Sequence, residues 1–419
     1  MRISLQNLLA SFPSPLSLRC NTITTRPNPE FIPSPELRMS KFKIAAFVSA
    51  ICLMGVVFYS SVVSSQTPQP TVHLRTEPPL SEILPFEAEA TVPSSPVRLT
   101  LQAVDAAGKP LENAKIRLSI LTPPRNPWFP TDFPIVEGTE LLDIEGVAPK
   151  GELEIQQMLP IRGNYQLLVS VNPITANAFA PIQQTLTLSV SENWVKYRNF
   201  GILAVILLAV GLGGGLVLGG KQDIQPGEVA PERVRLLLSG AIVVAIASLL
   251  IINITAERAD SHTHGHSSQK VEPSVVQSQG VKAEIIGDAS ATVGQPAKLA
   301  VQVTDPTTAQ PATDVLLKIK TTPAEGEWVA FAYEGVPDAK GQLTWEQQFF
   351  DGAPHKVEVE ILPQPQARQQ FSPLRIAQNI EVEGVAPPLH SRLIVLAYFT
   401  SLIVLGLVIG LKLRHRLVW

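Results

Sequence analysis

Long runs of apolar residues occur at four places along the chain, and each is long enough to cross a bilayer as a helix. Roughly 20 helical residues span the hydrocarbon core of a membrane. The runs cover residues 44–63, 200–220, 234–254 and 392–412. The last three carry no charge in their interiors, which argues against buried helices of a soluble protein. We therefore predict four transmembrane helices.

The basic residues beside these runs predict how the chain is oriented. Lys and Arg are enriched on the cytoplasmic side of membrane helices. One set of flanks carries Lys41, Lys43, Lys221, Arg233, Arg235, Lys412, Arg414 and Arg416, and the other set carries Lys196, Arg198, Arg258 and Arg392. The larger set places both termini, the loop 221–233 and the tail 413–419 in the cytoplasm. The segments 66–198 and 255–390 are then extracytoplasmic, in a periplasm or a lumen.

The first apolar run fits two interpretations. Met39 opens a basic segment that leads into the run and ends in small residues near Ser65, as a secretory signal peptide does. The length of the run favours an uncleaved signal anchor over a cleaved signal peptide. Residues 1–38 are expected to be a disordered extension, for which translation from Met39 is favoured over a plastid transit peptide.

Between the apolar runs the pattern changes to an alternation of apolar and polar residues. RLTLQAVD (98–105) and KIRLSIL (115–121) are examples, and turn residues such as DAAGKP separate them. Alternation with a period of two is typical of half-buried strands. Several short strands in each extracytoplasmic segment predict a small antiparallel sandwich.

The same unit occurs twice along the chain. RLTLQAVD at 98–105 matches KLAVQVTD at 298–305 at an offset of 200, and KGELEIQQ at 150–157 matches KGQLTWEQ at 340–347 at an offset of 190. The spacing Thr-Pro-x4-Trp also occurs in both halves, ending at Trp128 and Trp328. The predicted fold class is therefore membrane-anchored all-β. It has two homologous antiparallel Ig-like β-sandwich domains, at 66–198 and 271–390, each flanked by transmembrane α-helices.

The segment DAAGKPLENAKIRLSI (105–120) resembles the strand–turn–strand of bacterial Ig-like modules and of FixH/YtkA-like periplasmic domains. In those families a D-x-x-G-K-P turn precedes an apolar strand. The resemblance implies an anchored sandwich that takes part in respiratory-oxidase assembly or copper handling. The second half has DPTTAQPATDVLLKIK (305–320) instead, and neither half has the Met- and His-rich ligands of a copper site.

Composition narrows the classes of function. Charged residues make up 16% of the chain and hydrophobic residues 45%, a balance that fits membrane segments. The net charge of −3 argues against a nucleic-acid-binding protein. Cys20 and Cys52 lie outside the predicted sandwiches, so no disulfide framework is expected.

The most distinctive candidate chemistry is a histidine cluster in the linker 255–270. His262, His264 and His266 alternate in SHTHGHSS. Imidazoles of this kind bind Zn²⁺, Cu²⁺ or Ni²⁺, and His73 lies in the corresponding part of the first half. A structured zinc centre normally has four ligands in fixed geometry. The sequence thus favours a solvated linker first, weak capture of one of these metals second and a structured centre last, with no other cofactor.

Two further groups of residues are candidates for binding. Trp128, Phe129 and Phe133 form an aromatic group between prolines, which predicts either a partner-binding surface or packing against the sandwich. Small residues at intervals of four favour close packing of membrane helices, within one chain or between chains. That pattern is formed by Gly211, Gly215, Gly219, Gly406 and Gly410.

We predict a non-enzymatic binding or assembly role at the membrane surface. The expected partners are the lipid bilayer and either another membrane protein or a second copy of the chain. No GxSxG, HExxH or phosphate-binding loop is present in the sequence. Metal capture by the histidine linker is the first alternative function. A transporter subunit or an enzyme is the second.

Overall fold

The computed structural model describes residues 69–87, 95–219, 227, 231–232, 234–240, 275–278, 280–324, 328–365, 367 and 371–417. The predicted extension 1–38, the first apolar run, most of the third apolar run and the linker 255–270 lie outside these residues. The short described part of the third run, 234–240, is helical.

The strands of the first half are β1 to β7, and a 3₁₀ turn at Leu80–Glu82 follows β1. Their bounds are Thr71–Glu77, Val97–Val104, Ala114–Leu121, Glu140–Ala148, Glu152–Gln157, Gly163–Pro173 and Ile182–Val190. The second half contains β8 to β16. These are Val275–Ser278, Val281–Gly287, Ser290–Thr292, Pro296–Thr304, Val315–Pro323, Phe331–Gly335, Gln342–Gln348, His355–Pro363 and Leu374–Glu383. Helix α1 spans Trp194–Leu218 and helix α2 spans Leu389–Leu417.

The strands form where the sequence alternates, as predicted. In β2, Leu99, Leu101 and Ala103 are buried, while Arg98 and Thr100 lie on the outer face. Successive side chains of a strand point to opposite faces, so alternation leaves one apolar face for packing. The prediction of an all-β sandwich of antiparallel strands is confirmed at this level.

Two eight-stranded sheets pack face to face. The first, sheet A, has the order β1-β2-β5-β13-β12-β15-β16-β10, and the second, sheet B, has the order β7-β6-β3-β4-β14-β11-β9-β8. The pairings are antiparallel except that between β10 and β16, which is parallel. Each half contributes strands to both sheets.

The two halves are joined edge to edge, which differs from the predicted pair of separate sandwiches. In sheet A, β5 pairs with β13, with Ile155 opposite Tyr333. In sheet B, β4 pairs with β14, with Ile144 opposite Trp345. An unpaired strand edge exposes N–H and C=O groups, and the edge of the other half satisfies them. Pairing of this kind depends on the backbone and leaves no pattern in the side chains.

One continuous hydrophobic core fills the space between the sheets. It includes Leu118 and Ile144 from the first half together with Phe331 and Trp345 from the second half. The rings of Phe331 and Trp345 stack with their centroids 6.4 Å apart. The core therefore continues across the junction between the halves.

Tyr165 fixes the start of β6 in the first half. Its buried hydroxyl donates to the carbonyl of Ile161 at 2.7 Å and accepts from the amide of Ile161 at 3.0 Å. This arrangement is the tyrosine corner of Greek-key sandwiches. Burial raises the pKa of Tyr165, so the hydroxyl stays protonated and keeps its donor role. In the second half, His355 begins β15, 190 residues after Tyr165.

Replacing Tyr165 by Phe is expected to lower the free energy of unfolding by about 1–3 kcal/mol, because it leaves a buried N–H and a buried C=O without partners. Tyr333→Phe is the matched control. The hydroxyl of Tyr333 is also in the interior and has no hydrogen bond to any residue that the structure describes. Chemical denaturation of both variants in detergent measures the difference. Equal losses in the two variants would contradict the role assigned to Tyr165.

The helices α1 and α2 follow the last strands of the two halves, β7 and β16, and each contains an 18-residue window with a mean hydropathy of 2.6. Only 11% of each apolar window is buried, so neither is a core helix of the sandwich. Asn193 is the N-cap of α1, and its side chain accepts a hydrogen bond from the amide of Val195. Two of the four predicted apolar runs are thus helices long and apolar enough to cross a membrane.

Candidate interaction surfaces

The loop from Thr122 to Thr139, between β3 and β4, carries all three aromatic residues singled out from the sequence, and two of them are exposed. Trp128 is 68% exposed and Phe129 is 63% exposed. The side chain of Asn126 accepts hydrogen bonds from both of their amides, at 2.9 and 3.1 Å. Large apolar side chains on a structured loop are suited to binding because little conformational freedom is lost on contact. We call the segment 126–131 the aromatic tip.

Further contacts hold the aromatic tip on the sandwich. Thr131 donates from its amide and its hydroxyl to the carboxylate of Glu137, at 2.9 and 2.8 Å. The guanidinium of Arg162 lies 3.3 Å from the carbonyl of Phe129 and 3.4 Å from that of Pro130. The tip is therefore fixed from both sides.

The aromatic tip touches helix α2. The hydroxyl of Tyr398 donates to the carbonyl of Trp128 at 2.7 Å. The ring of Tyr398 stacks on that of Phe129 with a centroid distance of 6.3 Å and an interplanar angle of 19°. Tyr398 could not be predicted from the sequence, because a single tyrosine in an apolar run does not indicate which loop it contacts.

A cluster of paired charges joins the loop to the start of α1. Lys196 forms an ion pair with Asp132, and its ammonium lies 3.6 Å from Glu192 and 3.9 Å from Glu87. Arg162 pairs with the same Glu192. Charges of both signs are thus matched where the loop meets the helices, and the aromatic tip itself carries no charged side chain.

Phe133 lies in a different environment from Trp128 and Phe129. Its ring packs 6.2 Å from Phe86 and 5.4 Å from Phe350, at the edge of the core. Trp328, which ends the second Thr-Pro-x4-Trp, belongs to the same aromatic cluster, 4.5 Å from Phe86 and 5.5 Å from Phe350. The structure therefore separates the three predicted binding residues into an exposed pair and one packed ring.

His355 packs against this aromatic cluster. Its ring lies 4.6 Å from Phe349 and 6.2 Å from Trp328, and its Nδ1 lies 2.8 Å from the carbonyl of Ala353. Burial lowers the pKa of His355, and only the nearby carboxylate of Asp351 and the Ala353 carbonyl act in the opposite direction. The ring is thus neutral in the folded protein at pH 7.

We expect the protein to lose stability on acidification because of His355. Its pKa in the folded state lies below the unfolded value of 6.5. The unfolded chain therefore takes up the proton first. The contribution of His355 is complete above pH 6.5 and falls as the pH drops toward its folded pKa. Denaturation midpoints measured between pH 7.5 and 5 should fall less in His355→Gln than in the wild type. His73→Gln, at an exposed site on β1, should keep the wild-type slope.

Four of the five predicted packing glycines lie where α1 and α2 touch. A Cβ atom at Gly211 or Gly215 would overlap backbone atoms of Ile403 or Leu407. A Cβ atom at Gly406 or Gly410 would overlap the carbonyl oxygen of Leu208 or Leu212. Later residues of α1 contact later residues of α2, as the step from Gly211–Ile403 to Gly215–Leu407 shows, so the two helices are parallel. Gly219 lies beside the aliphatic part of Arg414, with a less severe approach.

The outer face of sheet A forms an open hollow of about 900 Å³ that spans the junction of the halves. Residues of both charges line it, and several pair across strands. Lys318 lies 3.1 Å from Glu334, and Arg375 lies 2.9 Å from Glu360. Ala332 of β13 lies in the wall next to the junction. We call this hollow the concave face.

The predicted metal ligands His262, His264 and His266 lie outside the residues that the structure describes, so the metal hypothesis stays a prediction. His73 is exposed on β1, where it faces Gln102 of β2. Over the described parts of the chain, no group of three His, Cys, Asp or Glu side chains is arranged to hold a metal ion.

No protein-family model matches the chain, and no curated protein matches it. Among solved structures, it is similar to the adhesin InvE of Yersinia pseudotuberculosis, with 12% identity over 76% of this chain and 61% of that one, and a TM-score of 0.19. It is also similar to invasin, a bacterial integrin-binding protein, with 9% identity over 75% of this chain and 40% of that one, and a TM-score of 0.18. The chain thus spans less than two thirds of either protein.

The D0-D1 domain of intimin gives 11% identity over 75% of this chain and 96% of that one, with a TM-score of 0.16. Identities and scores this low carry no argument about function. The resemblance to FixH/YtkA-like domains stays a prediction, because none of these similarities bears on it.

Proposed function

We propose that the protein is a non-enzymatic binding or assembly protein, fixed to a membrane by α1 and α2 and displaying the double sandwich on the extracytoplasmic side. The observation that carries this proposal is that the two halves form one sandwich from which two parallel apolar helices extend. The exposed apolar side chains of these helices need an apolar solvent, and a bilayer provides one. The runs 44–63 and 234–254 are proposed to add two further helices.

Duplication of one ancestral unit accounts for this arrangement. In the first half, β1-β2-β5 lies in one sheet and β7-β6-β3-β4 in the other. In the second half, β9-β11-β14 and β16-β15-β12-β13 repeat that order with the sheets exchanged. The two junctions, β5 with β13 and β4 with β14, are then related by a pseudo-twofold axis. This symmetry supports the repeat proposed from the sequence.

We place partner binding on the concave face. The face exists only when the two halves are joined, since Glu154 and Gln156 of β5 and Ala332 of β13 share it. Charges of both signs favour a partner with complementary polar groups, and such surfaces set specificity and the rate of encounter. Because the sandwich is held beside the membrane, the partner is proposed to be a protein of the same membrane.

Site-specific photo-cross-linking in intact cells tests this proposal. A photoreactive amino acid at Ala332 is expected to give an adduct with another protein after illumination. The same residue at Thr344, on the exposed outer face of sheet B, is the control and should give none. Charge reversal at Lys318 and Lys356 should remove the adduct. Recovery of self-links alone, or equal adducts at Thr344, would overturn the assignment of this face.

A further inference from the structure

We propose that the aromatic tip is a third membrane contact, with Trp128 and Phe129 inserted among the headgroups and upper acyl chains of the extracytoplasmic leaflet. The proposal rests on α1 and α2 crossing the bilayer, but not on the concave face. It assigns the exposed aromatic pair to lipid and not to a protein partner.

The depth of the tip along the helices is the first argument. Tyr398, which holds the tip, lies nine residues into α2, about 13 Å along the axis at 1.5 Å per residue. Tyr398 lies two turns before Gly406, and Gly406 packs against Leu208 and Leu212 of α1. Since the helices are parallel, Tyr398 is level with the part of α1 that begins at Phe200. There the predicted apolar run of α1 begins.

The turns of α1 that lead to this level carry exposed aromatic residues, which we call the aromatic belt. Trp194, Tyr197 and Phe200 are all more than half exposed on the first turns of α1. Trp and Tyr are enriched where membrane proteins meet the headgroups, since their rings have an apolar body and a polar edge. Trp128 and Phe129 extend this belt beyond the two helices.

The distribution of charge is the second argument. The aromatic tip has no charged side chain, and two basic residues behind it are paired, Lys196 with Asp132 and Arg162 with Glu192, while Arg125 beside it donates to the carbonyl of Pro134 at 3.5 Å. Unpaired charges would oppose entry into the apolar part of a leaflet. Backbone amides and carbonyls of the tip also have hydrogen-bond partners, which lowers the cost of moving them out of water. The partners are the side chains of Asn126, Arg162 and Tyr398.

The second half provides an internal contrast. Its corresponding tryptophan, Trp328, stacks on Phe350 within the aromatic cluster. A tryptophan at this position of the proposed repeat can therefore pack inside the sandwich. Trp128 projects outward because its loop is fixed to α2 and Arg162. A third contact on one side would fix the tilt of the sandwich over the membrane.

Depth-dependent quenching tests the proposal on the full-length protein in vesicles of phosphatidylcholine and phosphatidylglycerol. A polarity-sensitive fluorophore is attached to a cysteine at Phe129, with Cys20 and Cys52 changed to serine. Ala107→Cys is the aqueous control, in the turn at the opposite end of β3. Val210→Cys is the membrane control, at an exposed position in the middle of α1.

The label at 129 is expected to emit at shorter wavelength than that at 107 and to lose most of its emission to a nitroxide high on the acyl chain. Quenching by aqueous iodide, as at 107, would overturn the proposal. So would protection from both quenchers, which would mean that a protein covers the tip. If the label at 210 also fails to respond to lipid nitroxides, the membrane assignment of the helices fails instead.

A second test needs no label and so does not disturb the loop. In unlabelled protein, Trp128→Phe should reduce the part of the tryptophan emission that lipid nitroxides quench. Trp328→Phe, in the aromatic cluster, should leave that part unchanged. Equal effects of the two substitutions would also overturn the proposal.

Discussion

Gly215→Leu is expected to separate α1 from α2, at a cost of about 3 kcal/mol, the upper end of what overpacking costs in a well-packed interior. A Cβ atom at Gly215 would overlap the carbonyl oxygen of Leu407 and come close to Gly410. Neither neighbour can move aside, because both atoms belong to the backbone of a helix. The two axes must therefore move apart, and the close backbone contacts at Gly211 and Gly406 are lost with them.

Gly213→Leu is the matched control for this substitution. Gly213 lies two residues away in the same helix, and a Cβ atom there would meet nothing within 4 Å. Both substitutions replace glycine by leucine inside a helix, so both gain the same helix propensity. They differ only in which face of α1 they change.

Distances between spin labels at Val217 and Lys412 measure the outcome in lipid nanodiscs. We expect a short, narrow distance distribution in the wild type and in Gly213→Leu, and a longer, broader one in Gly215→Leu. A distribution unchanged by Gly215→Leu would show that the glycine contact does not hold the pair together.

Trp345→Ala is expected to destabilise the two halves together, by about 3–5 kcal/mol, the range measured for truncating a large buried aromatic side chain. Trp345 is fully buried and stacks on Phe331. It also lies at the junction, opposite Ile144 of the first half. The cavity therefore opens in a core to which both halves contribute.

Hydrogen exchange followed by mass spectrometry distinguishes a shared core from two independent ones. In Trp345→Ala, peptides from β3 and β6 of the first half should exchange faster, as should those from β11 and β12 of the second. Thr344→Ala, on the exposed face of the same strand, should change neither set. Faster exchange confined to the second half would mean that the halves unfold independently.

The elements of the fold could be predicted because they depend on local patterns. Alternation in RLTLQAVD and its counterpart KLAVQVTD locates β2 and β11, since a strand with one buried face requires an apolar residue at every second position. The runs 200–220 and 392–412 locate α1 and α2 for a similar reason, because about 20 consecutive apolar residues form a helix long enough to cross a bilayer.

The candidate surfaces were less accessible to sequence analysis. The run of aromatics and prolines identifies Trp128 and Phe129 as unusual, but Phe133 in the same run packs against Phe350. The deciding contacts come from residues far along the chain, Arg162 and Tyr398. The concave face is made by strands of both halves, so neither half alone suggests it.

By itself the sequence determined the strands, the helices α1 and α2 and the glycines at intervals of four, because each depends on the spacing of residues along the chain. Only the tertiary structure decided that the halves share their sheets, that Tyr398 contacts the aromatic tip and that His355 packs against Phe349 and Trp328. These features depend on which edges and side chains meet in space. Backbone pairing between strand edges, in particular, requires no special side chain.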